Sequence, residues 1–219
     1  MRSPGRPAKI CVLASGGVDS CALVADLLRR GREVHPLYVR CGYLWERAEL
    51  HALRRYLRAL RSPRLKTLTV VDAPMRGLVP ADHWALTGRG TPPAGAAWTG
   101  VYLPGRNLAL IEPAALFCSA RGIATVALAL LKGNPFADAG PRFRRGLSQV
   151  LRLSMRGAPR VTVPYSRLTK EQVLSRAPSA PLHLSLSCLR PRGLRPCGSC
   201  SKCEERELAL RGLGSLRRP

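Results

Sequence analysis

The chain reads as an α/β protein built on a doubly wound parallel sheet, and three features carry that expectation. Short apolar runs alternate with amphipathic segments of helical spacing from Lys9 to Arg176. A serine and glycine turn, Ser15 to Ser20, separates the first run from the first helical pattern, where such sheets place a ligand-binding loop. No apolar run approaches the roughly 18 residues needed to span a bilayer, so a membrane-embedded chain is not expected.

Taken in order, Lys9 to Ala14 predicts a first strand and Val18 to Arg30 a helix stopped by Gly31. Glu33 to Val39 predicts a second strand. Leu44 to Leu60 follows as a long helix with its leucines, Trp45 and Tyr56 on one face and arginines on the other. Leu65 to Val71 is a third strand. From Ala73 to Gly105 the chain is rich in glycine and proline and too long for a simple connector, which marks a functional or mobile loop. An apolar helix from Asn107 to Ala120 then leads through Gly122 into a strand, Ala124 to Leu130. Arg142 to Leu153 predicts a helix, Arg160 to Val163 a fifth strand, and Thr169 to Arg176 a helix capped at Thr169. A last helix falls near Glu204 to Arg211. With 219 residues the chain can bury roughly 70% of its unfolded surface, so residues 1–219 are expected to form one domain.

The net charge of +23 would by itself suggest a polyanionic partner. Only five of the 36 basic residues are lysines, however, and the arginines are scattered along the whole chain. With the accompanying alanine, proline and glycine, that pattern fits a GC-rich coding bias. Aromatic residues, the platforms for base stacking, make up 5%. The apolar stretch Ile10 to Ala14 is too short for a signal-peptide core, so the cytoplasm is the expected compartment.

Of the eight cysteines, Cys11, Cys21, Cys41 and Cys118 lie singly, where cysteine behaves as a small buried hydrophobe. Cys188, Cys197, Cys200 and Cys203 are spaced C-x8-C-x2-C-x2-C, which in a reducing compartment reads as a metal site. Four thiolates leave no open position for water, so a structural zinc ion is expected in the segment 187–212, ahead of an iron–sulfur cluster or disulfides. His183, five residues before Cys188, is expected to be a surface or packing residue.

Ser15, Gly16 and Gly17 sit where the first strand ends, so backbone amides can approach an anion unobstructed. The helix opening at Val18 points its positive end at the same place. Phosphate oxygens would meet these amides and the Ser15 and Ser20 hydroxyls, with Asp19 capping the helix or helping to hold magnesium. The motif lacks the Gly-Lys-Ser/Thr ending of a Walker loop, which argues for a different cleavage of ATP.

On Ser15-Gly16-Gly17-Val18-Asp19-Ser20 the chain resembles the PP-loop ATP pyrophosphatase superfamily. Pro104-Gly105-Arg106-Asn107, Thr169-Lys170-Glu171, Ser187-Cys188 and Cys197-Gly198-x-Cys200-x-x-Cys203 follow in one order. Together, over nearly the whole chain, they resemble the 7-cyano-7-deazaguanine synthase family. That resemblance implies ATP with Mg2+ as cosubstrate and cleavage of ATP to AMP and pyrophosphate. It also implies a 7-carboxy-7-deazaguanine substrate activated as an acyl adenylate, and ammonia as the nitrogen donor. Asp19, Lys170 and Arg106 become the expected catalytic residues, and Arg106, Asn107 and Asp138 the expected substrate contacts. Arg106 could equally be a solvated loop arginine and Asn107 a helix cap.

The chain departs from the family at two pocket segments. Cys41-Gly42-Tyr43-Leu44-Trp45, with Glu46 and Glu49 following, stands in place of a Tyr-Gly-Gln-Arg-His stretch. Phe136-Ala137-Asp138-Ala139-Gly140-Pro141 stands where Tyr-Pro-Asp and Cys-Arg-Pro are usual. An acceptor amine other than ammonia, such as one on a protein, is therefore an alternative, as is a tRNA acceptor. A non-catalytic nucleotide-binding protein is an alternative of another class, and a homodimer is compatible with each reading. Cys41 has no base beside it in sequence, so packing is its expected role over nucleophilic chemistry.

Overall fold

The computed structural model describes residues 7–216. Five strands form one parallel sheet in the order β3-β2-β1-β4-β5: β1 Lys9–Leu13, β2 Glu33–Arg40, β3 Thr69–Asp72, β4 Thr125–Ala127 and β5 Arg160–Thr162. The helices are α1 Val18–Arg29, α2 Glu46–Ala59, a single turn α3 Trp84–Thr87, α4 Arg106–Ala120, α5 Pro141–Ser154, α6 Lys170–Ser175 and α7 Ser201–Leu216. Short 3-10 turns lie at Trp98–Val101, Ala137–Ala139 and Leu182–Leu184. Alternation along the strands divides the core in two. Cys11, Leu37 and Val126 face one cluster with residues of α4 and α5, whereas Val12, Val34 and Ala127 face another with α1 and α6.

The third strand begins four residues later than its apolar run predicts. Val34 pairs outward with the segment at Leu65, through Val34 N–H to the Arg64 carbonyl at 2.8 Å and Lys66 N–H to the Val34 carbonyl at 2.8 Å. Pro36, two residues on, faces the same edge and has no N–H to give, so pairing resumes only at Leu37 with Thr69. The fourth strand is shorter than Ala124 to Leu130: Leu128 N–H still donates to the Thr162 carbonyl at 3.0 Å, and beyond it Ala129 and Leu130 line a crevice. Trp45 caps α2 instead of lying within it. Its ring stacks between Tyr43 at 4.9 Å and Trp84 at 5.7 Å between centroids. The last helix is longer than expected at both ends, starting at Ser201 among the clustered cysteines.

Strands β1 and β4 are neighbours, and the chain winds away from them in opposite directions, which opens a crevice beyond their carboxyl ends. The turn from β1 to α1 lies in that crevice. Gly16 adopts φ +83°, and a Cβ there would stand 2.9 Å from the Glu49 carbonyl oxygen of α2. Both the backbone angle and the contact require glycine. Gly16→Ala is expected to lower stability by about 1–3 kcal/mol, seen as a lower urea midpoint with an unchanged slope; an unchanged midpoint would show that α2 yields freely.

Candidate active site

A cavity of about 260 Å³ occupies the crevice, and it gathers residues from distant parts of the chain. Ser15, Gly17, Asp19 and Ser20 come from the turn and α1, Arg106 and Asn107 from α4, Lys170 from α6, and Lys202, Glu205 and Arg206 from α7. The sequence motifs therefore converge on one place.

The turn from Ser15 to Ser20 is braced internally. Gly17 N–H donates to Ser15 Oγ at 3.3 Å, and Ser20 Oγ donates to the Gly17 carbonyl at 3.0 Å. Helix α1 begins after Gly17 without a side-chain cap, so Asp19 is not its cap. The first-turn amides of a helix have no partners within it, which makes this end a receptor for anions.

Asp19 instead binds Lys170. The ammonium lies 2.6 and 2.7 Å from the two Asp19 carboxylate oxygens and 2.7 Å from Glu205, which in turn sits 2.7 Å from Lys202. Lys170 is the first residue of α6, set there by a capping box between Thr169 and Gln172. Burial works against its charge, but Asp19 and Glu205 hold its pKa above the ordinary lysine value. Burial pushes the Asp19 carboxyl up, and Lys170 pulls it back only in part. The Glu205 carboxyl is held below its ordinary value: burial raises it, but Lys170 and Lys202 outweigh that.

Arg106 opens α4 and is not a freely solvated loop residue; its Nε is buried with no hydrogen-bond partner among the described residues. Asn107 does not cap the helix. Asp138 does so from the neighbouring turn, its carboxylate accepting from Asn107 N–H at 2.9 Å and from Asn107 Nδ2 at 3.1 Å. Both residues stand in the cavity wall with these groups engaged.

Some residues of the site escaped the sequence reading. Glu205 and Lys202 share a face of α7, and their i,i+3 spacing between and after Cys200 and Cys203 was the available signal. Glu49 occupies a position on the apolar stripe of α2, beside Leu50 and Leu53, where a carboxylate is out of place. It accepts a hydrogen bond from Tyr38 Oη at 2.8 Å. Burial drives its pKa up to about 8, with Glu46 adding to the rise and Arg106 and Tyr38 opposing it. Glu46 takes the Cys41 and Gly42 amides at 2.6 and 3.0 Å and so ties the end of β2 to α2. Aromatic rings of Trp45, Trp84 and Phe136 complete the wall.

The four clustered cysteines bring their sulfur atoms within 4.8 Å of one another. Cys197 and Cys203 are 3.8 Å apart, the sulfur separation that a tetrahedral ion with bonds of about 2.3 Å requires. Amides of Leu189, Cys197 and Ser199 donate to the sulfurs of Cys200, Cys188 and Cys197 at 3.4, 3.3 and 3.5 Å, as they would to thiolates. All eight cysteines are unbridged. Cys11, Cys21, Cys41 and Cys118 are buried packing residues. His35 pairs with Glu33 at the opposite end of β2 from Cys41, and His51 is exposed on α2. His183 is exposed too, and only its carbonyl is engaged, by Arg206.

Fold and site together define a doubly wound α/β protein with a PP-loop-like fold. A solved 4-thiouridine synthetase, in complex with RNA and bound ATP, shares the fold with a TM-score of 0.52 at 18% identity, covering 95% of this chain and 51% of that one. The family model for queuosine biosynthesis protein QueC matches residues 9–214. Among curated relatives, 7-cyano-7-deazaguanine synthase 1 of Desulfitobacterium hafniense is 27% identical over 92% of this chain and 91% of its own length. The 7-cyano-7-deazaguanine synthase of an Anaeromyxobacter species is 30% identical over 90% of both. Against the synthase of Saccharolobus solfataricus, 26% identical, the chain spans 45% of the relative's length. The chain belongs to the QueC family. No helix among the described residues is long and apolar enough to cross a membrane.

Because the folded Glu49 pKa lies above its unfolded value of about 4.3, its protonated form stabilises the fold most below that value. The contribution is lost as pH rises toward about 8. Urea midpoints measured from pH 5 to 9 should therefore fall more steeply for the wild type than for Glu49→Gln. Parallel curves would place the ionisation elsewhere.

Proposed function

We propose that this chain uses one ATP to adenylate the carboxylate of 7-carboxy-7-deazaguanine, ammonia displacing AMP to give the amide, and a second ATP to adenylate the amide oxygen, which then leaves with AMP to give 7-cyano-7-deazaguanine. A carboxylate resists attack until one oxygen becomes a good leaving group. AMP is such a group once the departing pyrophosphate is neutralised. The observation that carries the reading is the convergence, in one cavity, of the α1 first turn, Lys170 and an Arg106 whose buried Nε has no acceptor. A buried donor without a partner is costly, and an anionic ligand oxygen would relieve it.

In this reading Ser15 through Ser20 hold the phosphates, and Lys170 and Arg106 supply positive charge to them. A triphosphate entering the crevice competes with Asp19 and Glu205 for the Lys170 ammonium, and a released Asp19 carboxylate is free to help hold magnesium. Trp84, backed by the stacked Trp45 ring, and Phe136 offer aromatic surface to a planar heterocycle. Asn107 and Asp138 hold the mouth of α4 beside it.

The assay is incubation with ATP, magnesium, ammonia and 7-carboxy-7-deazaguanine, read by mass spectrometry for AMP, amide and nitrile. Asp19→Asn is expected to cut AMP formation at least ~100-fold, and undiminished AMP would remove Asp19 from the chemistry. Trp45 and Phe136 fall in the segments where the chain departs from its family's pattern. A mass increase on a protein or amine added to the same assay, with no free amide, would favour a different acceptor.

We assign zinc to the four cysteines, where with all four positions filled it serves the fold and supplies no reactive water. Purified protein is expected to carry about one zinc per chain without visible absorbance, and Cys200→Ser to lose both the metal and several degrees of Tm. Iron with a visible chromophore would overturn the assignment.

A further inference from the structure

The arginines are spread along the chain, but the acids are not. Between Asp138 and Glu171 there is no carboxylate side chain, while Arg142, Arg144, Arg145, Arg152, Arg156, Arg160, Arg167 and Lys170 fall in that run. It folds as α5 and β5, the edge strand of the sheet. A groove of about 450 Å³ opens there, lined by Pro141, Arg144, Arg145, Ser148, Gln149, Arg152 and Val161.

Arg145 and Arg152 are both exposed. Seven residues of helix put them about 10 Å apart on one face, with Ser148 and Gln149 between. No ion pair among the described residues involves Arg144, Arg145 or Arg152. Burial and then the adjoining Arg145 charge press the Arg144 guanidinium below its ordinary value, and its partner is a neutral group, the Ala139 carbonyl, at 2.8 Å. Apart from Pro141 and Val161 the lining is made of polar side chains, and it has no acid.

We propose that this groove binds the phosphodiester backbone of a nucleic-acid duplex. Guanidinium groups match phosphate oxygens in geometry as well as in charge. The groove holds no aromatic ring on which an unpaired base could stack, so contact is with the backbone and is insensitive to sequence. An acidic peptide would match the charge but would find little apolar surface inside the groove. The proposal is independent of the reaction assigned to the crevice.

The test compares the full-length wild type with Arg145→Ala/Arg152→Ala and with a charge-matched control, Arg54→Ala/Arg58→Ala. The control removes two exposed arginines of α2. Fluorescence anisotropy is measured over a salt series with labelled RNA and DNA duplexes of one sequence and with a poly-glutamate peptide. The groove variant is expected to weaken duplex binding about tenfold and to reduce the salt slope by about 2. The control should change affinity less than about threefold, by non-specific charge alone. Preference for RNA or for DNA identifies the source of the backbone, and either supports the groove. Equal losses in the two variants, no duplex binding by wild type at moderate salt, or tighter binding of poly-glutamate than of either duplex would overturn it. Unchanged thermal melting shows that the variants are folded.

Discussion

One half-buried ammonium holds the working end of this molecule together. Lys170 sits between Asp19 of α1 and Glu205 of α7, and it stands at the head of α6, so a single charge joins three helices from separate parts of the sequence. Removing a charge from water is costly, and the cost is met here only because carboxylates approach from two sides. Two acids around one base would leave a net negative cluster; Lys202, 2.7 Å from Glu205, restores the balance. The phosphate loop therefore faces a nearly neutral assembly whose positive member can be drawn off by a stronger anion.

The cysteine cluster is what puts Glu205 in range. Helix α7 starts between Cys200 and Cys203, so the thiols set its origin and the direction in which Lys202, Glu205 and Arg206 project. The same cluster anchors the long segment after β3. Pro93 bridges to Cys200, Ala94 N–H donates to the Ser199 carbonyl, and Gly95 N–H donates to Glu204. That segment in turn carries Trp84, Val101 and Leu103 to the cavity wall. A metal held by these thiols would thus act on the pocket through two routes without touching a ligand.

Local signals made the frame legible. Strand–turn–helix alternation, the glycines of the phosphate loop and the Thr169 cap are short-range patterns, and each lies where its residues imply. The parallel pairing of the strands follows from the same alternation, whereas their order does not. What was not legible depends on partners far apart in sequence. Nothing near Lys170 announces Glu205, and nothing near Asn107 shows that Asp138 would cap its helix. The third strand was misread because the apolar run was weighed without its neighbour: Pro36 of β2, not the composition of residues 65–68, decides where pairing starts. Glu49 is legible as part of the departing pocket segment, but its burial against Tyr38 depends on a partner that its own helix does not announce.

The wall opposite the phosphate loop is built differently, and the difference bears on how specificity can vary in such a fold. Cys41 to Trp45 is a loop tied to the segment after β3 by Leu44 N–H on the Ala85 carbonyl and Met75 N–H on the Cys41 carbonyl, and to α2 by one carboxylate, Glu46, on two amides. Phe136 to Gly140 is held to α4 chiefly by another, Asp138. Among the described residues neither loop shares a hydrogen bond or ion pair with Asp19, Lys170 or Glu205. Side chains presented by these loops, Trp45 and Phe136 among them, can therefore change without disturbing the ammonium clasp or the glycine turn. In the proposed reaction, a chain that keeps the glycine turn and the clasp while altering these two loops would keep the means of activation and alter what is activated or what receives it. The departures in this sequence fall on that side of the cavity.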